Sequence, residues 1–156
     1  MARRTTVPTL FPPPGYAHAA VVETGSRLAF MAGSVPLDKD GALVGPGDFV
    51  AQTEQVLANL ETALSAVGSD LSRVISTDVY VVASDPADLS RVWDVVHASG
   101  LTTGPHTSTL LGVACLGYTG QLVEITAVAE VAEVGEVTDV AGTGVGAVGG
   151  AAGSGA

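Results

Sequence analysis

Positive charge is what this chain has least of. Six Lys and Arg stand against sixteen Asp and Glu, a formal net charge of −10. Such a surface repels phosphate backbones and lacks the basic footprint that nucleic-acid binding requires, so nucleic acid is not an expected partner. Aromatic residues supply only 4% of the sequence, which leaves the packing to Val, Ala and Leu. Cys115 is the single cysteine and cannot close an internal disulfide, which suits a reducing, cytoplasmic setting. No apolar run approaches the roughly 18 residues of a membrane span, and no membrane association is expected. No apolar stretch follows Arg3 and Arg4 as a secretory signal would need. Metal-ligand spacings, a phosphate-binding loop and a nucleophile elbow are missing as well, so neither a metal nor another cofactor is expected.

What is present suffices for one domain. The 156 residues are 47% hydrophobic, and domains average about 100–200 residues. Pro8 and the Pro12-Pro13-Pro14 run exclude regular helix or central strand from the first sixteen residues, because proline has no N–H to donate. An extended arm ending at Gly15-Tyr16 is the reading. Residues 17–23 and 27–32 are apolar runs separated by Thr24-Gly25-Ser26, a hairpin pattern.

Asp48 is placed to cap a helix that runs to about Val67, with Val50, Thr53, Leu57, Leu60, Leu64 and Val67 on one face and Gly68 ending it. Residues 73–82 read as a strand. Asp85-Pro86 then opens a second helix, with Leu89, Val92, Trp93 and Val96 as its buried stripe. Residues 107–114 and 122–131 are the last strands. The order is β-β-α-β-α-β-β, an α+β domain whose two helices cover one face of a mixed sheet. The other face is left for something else to bury, which argues for self-association. From 132 to 156 the chain is Gly-, Ala- and Val-rich without periodicity and reads as a flexible tail after the domain of residues 1–131.

Several segments together resemble the YjgF/YER057c/UK114 superfamily, whose best-known branch is RidA, the enamine/imine deaminase. They are Pro14-Gly15-Tyr16-Ala17, residues 28–38 (LAFMAGSVPLD), residues 51–60 (AQTEQVLANL) with Val67-Gly68, Pro105-His106-Thr107-Ser108-Thr109, and Leu122-Val123-Glu124-Ile125. The likeness spans roughly residues 14–131 and rests on the ordered set, not on any one motif. It implies a chorismate-mutase-like fold and a homotrimer with a cleft at each subunit interface. One departure stands out. RidA-type deaminases carry an arginine two residues after the proline of the fourth segment, and that arginine grips the substrate carboxylate; here the position is Thr107. A neutral hydroxyl cannot make the bidentate, charge-assisted pair of a guanidinium. His106 is the nearest substitute, offering a donor and, when protonated, a charge.

The resemblance also assigns candidate site residues. Glu124 matches the acidic residue that positions water near the reacting imine; on its own strand it is also readable as a solvent-facing residue beside Thr126 and Glu130. Tyr16 and Gly33 match cleft positions, an aromatic lid and a close backbone approach, although Tyr16 would also serve to anchor the arm. Thr107 and Ser108 are either ligand contacts or β-favouring strand residues. His106 is either an acid-base group or an interface histidine, while His18 and His97 read as structural or solvent-exposed. Tyr118, in the GYTG loop, sits either at the mouth of the cleft or in a plain hairpin turn. Cys115 could pair with His106 as nucleophile and base, or be a small buried apolar residue. Two functions follow: a small-molecule enzyme acting on an imine, enamine or related carbonyl compound by water addition or proton transfer, or a non-catalytic protein holding a metabolite in the same cleft.

Overall fold

Asp48 caps the first helix as its place before an apolar-periodic run predicts. The N–H groups of Val50 and Ala51 donate to its Oδ1 at 2.9 and 3.2 Å, satisfying two of the donors that a helix start leaves unpaired. In the computed structural model, which describes residues 2–104 and 106–132, this helix is α1 (Phe49–Ala66). Pro105 and the residues 133–156 of the expected tail lie outside the described residues. Gly68 follows at φ +76°, the left-handed backbone that ends a helix at little cost. Helix α2 (Pro86–Ala98) begins as expected, with Asp85 Oδ1 accepting from Ala87 N–H at 2.9 Å and Pro86 in the first turn.

Both helices lie on one face of a four-stranded sheet. Its order is β3 (Arg27–Ser34), β6 (Val123–Val131), β4 (Val74–Val81), β5 (Thr107–Gly112). β4 and β5 are parallel and joined through α2, and the other pairs are antiparallel. Alternation along β4 and β6 sends Val79, Val81, Val123, Ile125, Ala127 and Ala129 toward the helices, where they meet Val56, Leu60, Leu64, Val92 and Val96. Thr53, Leu57, Leu60 and Leu64 of the expected α1 stripe are buried, but Val67 is exposed because it stands beyond the last turn as the C-cap. Gln52 takes a buried place that the apolar pattern did not assign.

Two expected pairings are not made. Residues 17–23 and 27–32 do not form a hairpin: β2 (Ala19–Val21) pairs antiparallel with β1 (Arg3–Thr5), whereas β3 pairs with β6. The arm therefore contributes a strand before its prolines begin, in a separate two-stranded sheet with β2, and the described residues hold one strand more than expected. The loop carrying Tyr118 is likewise no hairpin turn. β5 and β6 are not neighbours; β4 lies between them, so residues 113–122 cross the end of the sheet.

Among the described residues, no helix covers the sheet's other face. Register places Leu111, Tyr80 and Glu124 in one cross-strand row, Thr109, Asp78 and Thr126 in the next, and Thr107, Ser76, Val128 and Phe30 in a third. Phe30 is 79% exposed there.

Candidate functional site

Glu124 stands near the start of β6 on the open face, and its surroundings fix its shape. A bulge in β3 sets Met31 opposite Ala127 and Ser34 opposite Ile125, so two residues, Ala32 and Gly33, face Thr126. A side-chain carbon placed on Gly33 would overlap Oε1 of Glu124. The absent side chain is thus the space that the carboxylate occupies. On its other side, Nε2 of Gln121 donates to Glu124 Oε2 at 3.0 Å. Gln121 is 3% exposed, and its own Oε1 accepts the Tyr118 N–H at 3.1 Å. Gln52 holds the same turn from beneath: Nε2 donates to the carbonyls of Gly45 and Gly120, and Oε1 accepts Leu122 N–H at 2.7 Å.

A second cluster forms on the helix side of β5. Trp93 of α2 meets Tyr16 edge to face, with ring centroids 6.0 Å apart, and stacks on His106 at 6.5 Å. The indole Nε1–H donates to the Pro14 carbonyl at 3.1 Å, and Arg4 Nη2 donates to the Tyr16 carbonyl at 2.9 Å. These bonds pin the proline arm onto α2. His106 is fully buried, with Nε2 2.8 Å from Thr77 Oγ1, and Thr77 Oγ1 is 2.9 Å from Ser108 Oγ. Among the described residues Nδ1 has no partner of full hydrogen-bond geometry, although the nearby Gly15 carbonyl favours the protonated ring. Burial outweighs it and, with the charge of Arg4, pushes the His106 pKa down from 6.5 to about 4. His106 is therefore neutral near pH 7 and supplies no positive charge to a substrate.

The expected site residues thus fall into two groups. Glu124 and Gly33 come together, as do Tyr16, Ser108 and His106. Within one subunit Glu124 does not approach Thr107 or Tyr16. β5 is separated from β6 by β4, and Thr107 lies level with Val128, four residues along from Glu124. The Thr107 hydroxyl donates to the Ile75 carbonyl at 3.1 Å. Tyr118 is exposed and reaches the Glu124 group only through its backbone. Cys115 is exposed, not buried, and sits in the crossing loop away from the buried His106. Glu130 does not share solvent with Glu124. It is 7% exposed, accepts from Ser26 Oγ and Ala2 N–H, and has its pKa lowered by those bonds, that to Ser26 first. His18 closes the arm by accepting Val7 N–H at 2.8 Å, and the His97 ring packs against Gly15.

Comparison with known proteins places this arrangement. The family model described as Endoribonuclease L-PSP matches residues 11–131. The chain belongs to this family, the YjgF/RidA-like superfamily. It is 34% identical to the protein DfrA of Myxococcus xanthus over 112 residues, covering 72% of this chain and 82% of that one. Among solved structures it resembles YyfB of Yersinia pestis, a Rid-family protein described as of unknown function. The TM-score is 0.77 at 33% identity, over 83% of this chain and 98% of that one. A Mycobacterium tuberculosis member of the YjgF/YER057c/UK114 family superposes with a TM-score of 0.53 at 28% identity, over 84% of this chain and all of that one (100%). The α+β arrangement is accordingly the chorismate-mutase-like fold of the superfamily.

Three residues of this YjgF/RidA-like chain escaped the sequence reading. Gln121 and Gln52 sit where an apolar pattern shows only a polar interruption; Gln52 lies within the segment of residues 51–60 that carries the resemblance, but nothing there gives it a role. Thr77 reads as an ordinary β-former. Its signal was available only in register: a threonine on the inward face of β4 (burial 3% exposed) needs a polar partner. Trp93 was assigned to the core stripe of α2 and does pack there, but it also forms the wall of a cavity.

Proposed function

We propose that this protein is a RidA-like enzyme that acts on an imine, enamine or related carbonyl metabolite by water addition or proton transfer. Glu124 is the acid-base or water-orienting group, in a cleft that a neighbouring subunit completes. The observation that carries the reading is the setting of Glu124. Gln121 occupies Oε2, while Oε1 lies in the space left by Gly33. A carboxylate held by one oxygen keeps the other to align water or to receive a proton. Thr107 occupies the same open face at the outer edge of the sheet, where a second copy could bring it to another subunit's Glu124.

The substrate class follows from what the cleft lacks. Thr107 offers a hydroxyl already bonded to Ile75, and His106 is buried and neutral. An imine bearing a free carboxylate therefore finds no cation at either position. A charge-assisted hydrogen bond contributes about 1.5–3 kcal/mol, so 2-aminoacrylate should turn over roughly ten- to a hundredfold more slowly than on an arginine-bearing relative.

That same loss favours a second reading, a binding protein that holds a neutral metabolite without turning it over. One experiment separates the two. Purified protein is offered a panel of neutral and carboxylate-bearing imines, and Glu124→Gln is run beside it. An enzyme loses about 10²–10⁴-fold in rate with an unchanged melting temperature. A binding protein turns over none of the panel and keeps its ligand with a modest change in affinity. If the substitution alters neither rate nor ligand retention, Glu124 is a plain strand residue and the proposal fails.

A further inference from the structure

We propose that the cavity between the proline arm and the outer edge of the sheet is a second small-molecule site, shaped for a neutral, planar, single-ring compound that carries an O–H or N–H donor. It goes beyond the reading above, because it opens on the helix side of β5, whereas Glu124 and Thr107 are on the open side.

Pro14, Tyr16, Trp93, Ser108 and Leu110 line this cavity of about 250 Å³. A dry cavity of about 150 Å³ holds benzene, so one ring with a substituent fits. The walls are two aromatic surfaces set at 79° to each other. Each can pack against a flat guest, by face or by edge. They are held in place: the Trp93 indole is bonded to Pro14 at one end and backed by the His106 ring, 15° from parallel, at the other. None of the five lining side chains is charged, and an ion placed there would lose its hydration without recompense.

Two side chains of the wall carry a hydroxyl, Tyr16 and Ser108, and it is the valences of Ser108, tied to Thr77, that set the ligand's chemistry. Its Oγ shares one hydrogen bond with Thr77, whose own partner is the buried His106 Nε2. If Ser108 donates to Thr77, both of its lone pairs remain; if it accepts, one lone pair remains. In either proton order Ser108 can accept from a ligand. A donor on the ring is the complement that both orders allow.

Trp93 is the only tryptophan in the chain, so its indole N–H gives one resonance that reports on this cavity alone. The test titrates the full-length, ¹⁵N-labelled protein with phenol, with anisole (the same ring without the donor) and with benzoate. Expected is a saturable movement of the indole peak with phenol, anisole weaker by about three- to tenfold, and benzoate weaker still. Ser108→Ala should bind phenol as weakly as anisole binds the parent, and Glu124→Gln should bind phenol unchanged. No saturable shift with phenol would overturn the site. Equal affinity for phenol and anisole on the unmodified protein would overturn the role of Ser108 without recourse to any variant. A Glu124→Gln chain that lost phenol binding would show one site instead of two.

Discussion

Gln121 donates through Nε2 to Glu124 Oε2 at 3.0 Å, and the Tyr118 N–H at Gln121 Oε1 decides which end of the amide faces the carboxylate. A flipped amide would set oxygen against oxygen at Glu124 and nitrogen against N–H at Tyr118. The arrangement therefore orients the carboxylate from a rigid, buried neighbour. Replacing Gln121 with Leu removes the donor and strands the Tyr118 N–H. The rate of a Glu124-dependent reaction should fall about tenfold, less than on removing Glu124 itself. A Gln121→Leu chain as active as the parent would show that Glu124 needs no such positioning.

Gly33 tests the other side of the same carboxylate. It is not among the glycines with positive φ, so alanine brings no backbone strain there. The nearest atoms the added methyl meets all belong to the Glu124 side chain, from Oε1 back to Cγ, and that side chain can swing away. Gly33→Ala should leave the melting temperature within a few degrees while lowering function nearly as far as Glu124→Gln does. Thermal melts and activity measured together decide it; a large loss of stability would mean that the backbone itself is crowded.

Gln52 should behave in the opposite way, as a residue of the fold. It is fully buried and serves three backbone groups at once. Gln52→Leu conserves approximate volume but leaves Leu122 N–H and the Gly120 carbonyl without that partner, while the Gly45 carbonyl keeps the Asp48 N–H; each unsatisfied buried group costs about 1–3 kcal/mol. Urea unfolding should show a loss of at least about 2 kcal/mol.

These residues mark where the sequence stopped being legible. Capped helices and the central strands follow from local rules: Asp48, Gly68, Asp85 and Pro86 act within a few residues of themselves. Strand partners are not local. The apolar runs around Thr24-Gly25-Ser26 satisfy a hairpin pattern, yet β2 finds β1 from the arm and β3 finds β6, because pairing is chosen by burial of whole faces. The site divided for the same reason. Glu124 and Gly33 were each recognisable by resemblance, but their contact depends on a bulge in β3, and their separation from Thr107 depends on β4 lying between.

His106 makes stability depend on pH in a defined direction. Its pKa is 6.5 when exposed and about 4 in the fold. Between those values the unfolded chain binds the proton and the folded chain does not, so the contribution is complete above pH 6.5 and is lost as pH falls toward 4. Over pH 6.5 to 5, above the range of ordinary carboxylates, the loss should be about 1.5 kcal/mol at 1.36 kcal/mol per unit. Urea midpoints measured across that interval should fall for the parent and stay flat for His106→Gln. A parallel fall in both would place the effect elsewhere.

The open face of the sheet should be the contact between copies. Phe30 is 79% exposed on it, with Leu28 at 40% and Leu111 at 42%, and Val128 stands opposite Phe30 on β6. Burying one such phenylalanine is worth about 1.5–3 kcal/mol, and a closed assembly repeats that gain in every copy. The assembly expected from the superfamily resemblance is a trimer. Sedimentation at micromolar concentration should then report three times the 15.5 kDa chain mass. Phe30→Asp puts a charge where each copy would have to desolvate it, in a chain that already carries a net charge of −10, and should yield the monomer. Function should be lost with it if the cleft needs Thr107 from one subunit and Glu124 from another. A monomeric parent, or a Phe30→Asp chain that keeps both mass and activity, would show that this face is not the interface.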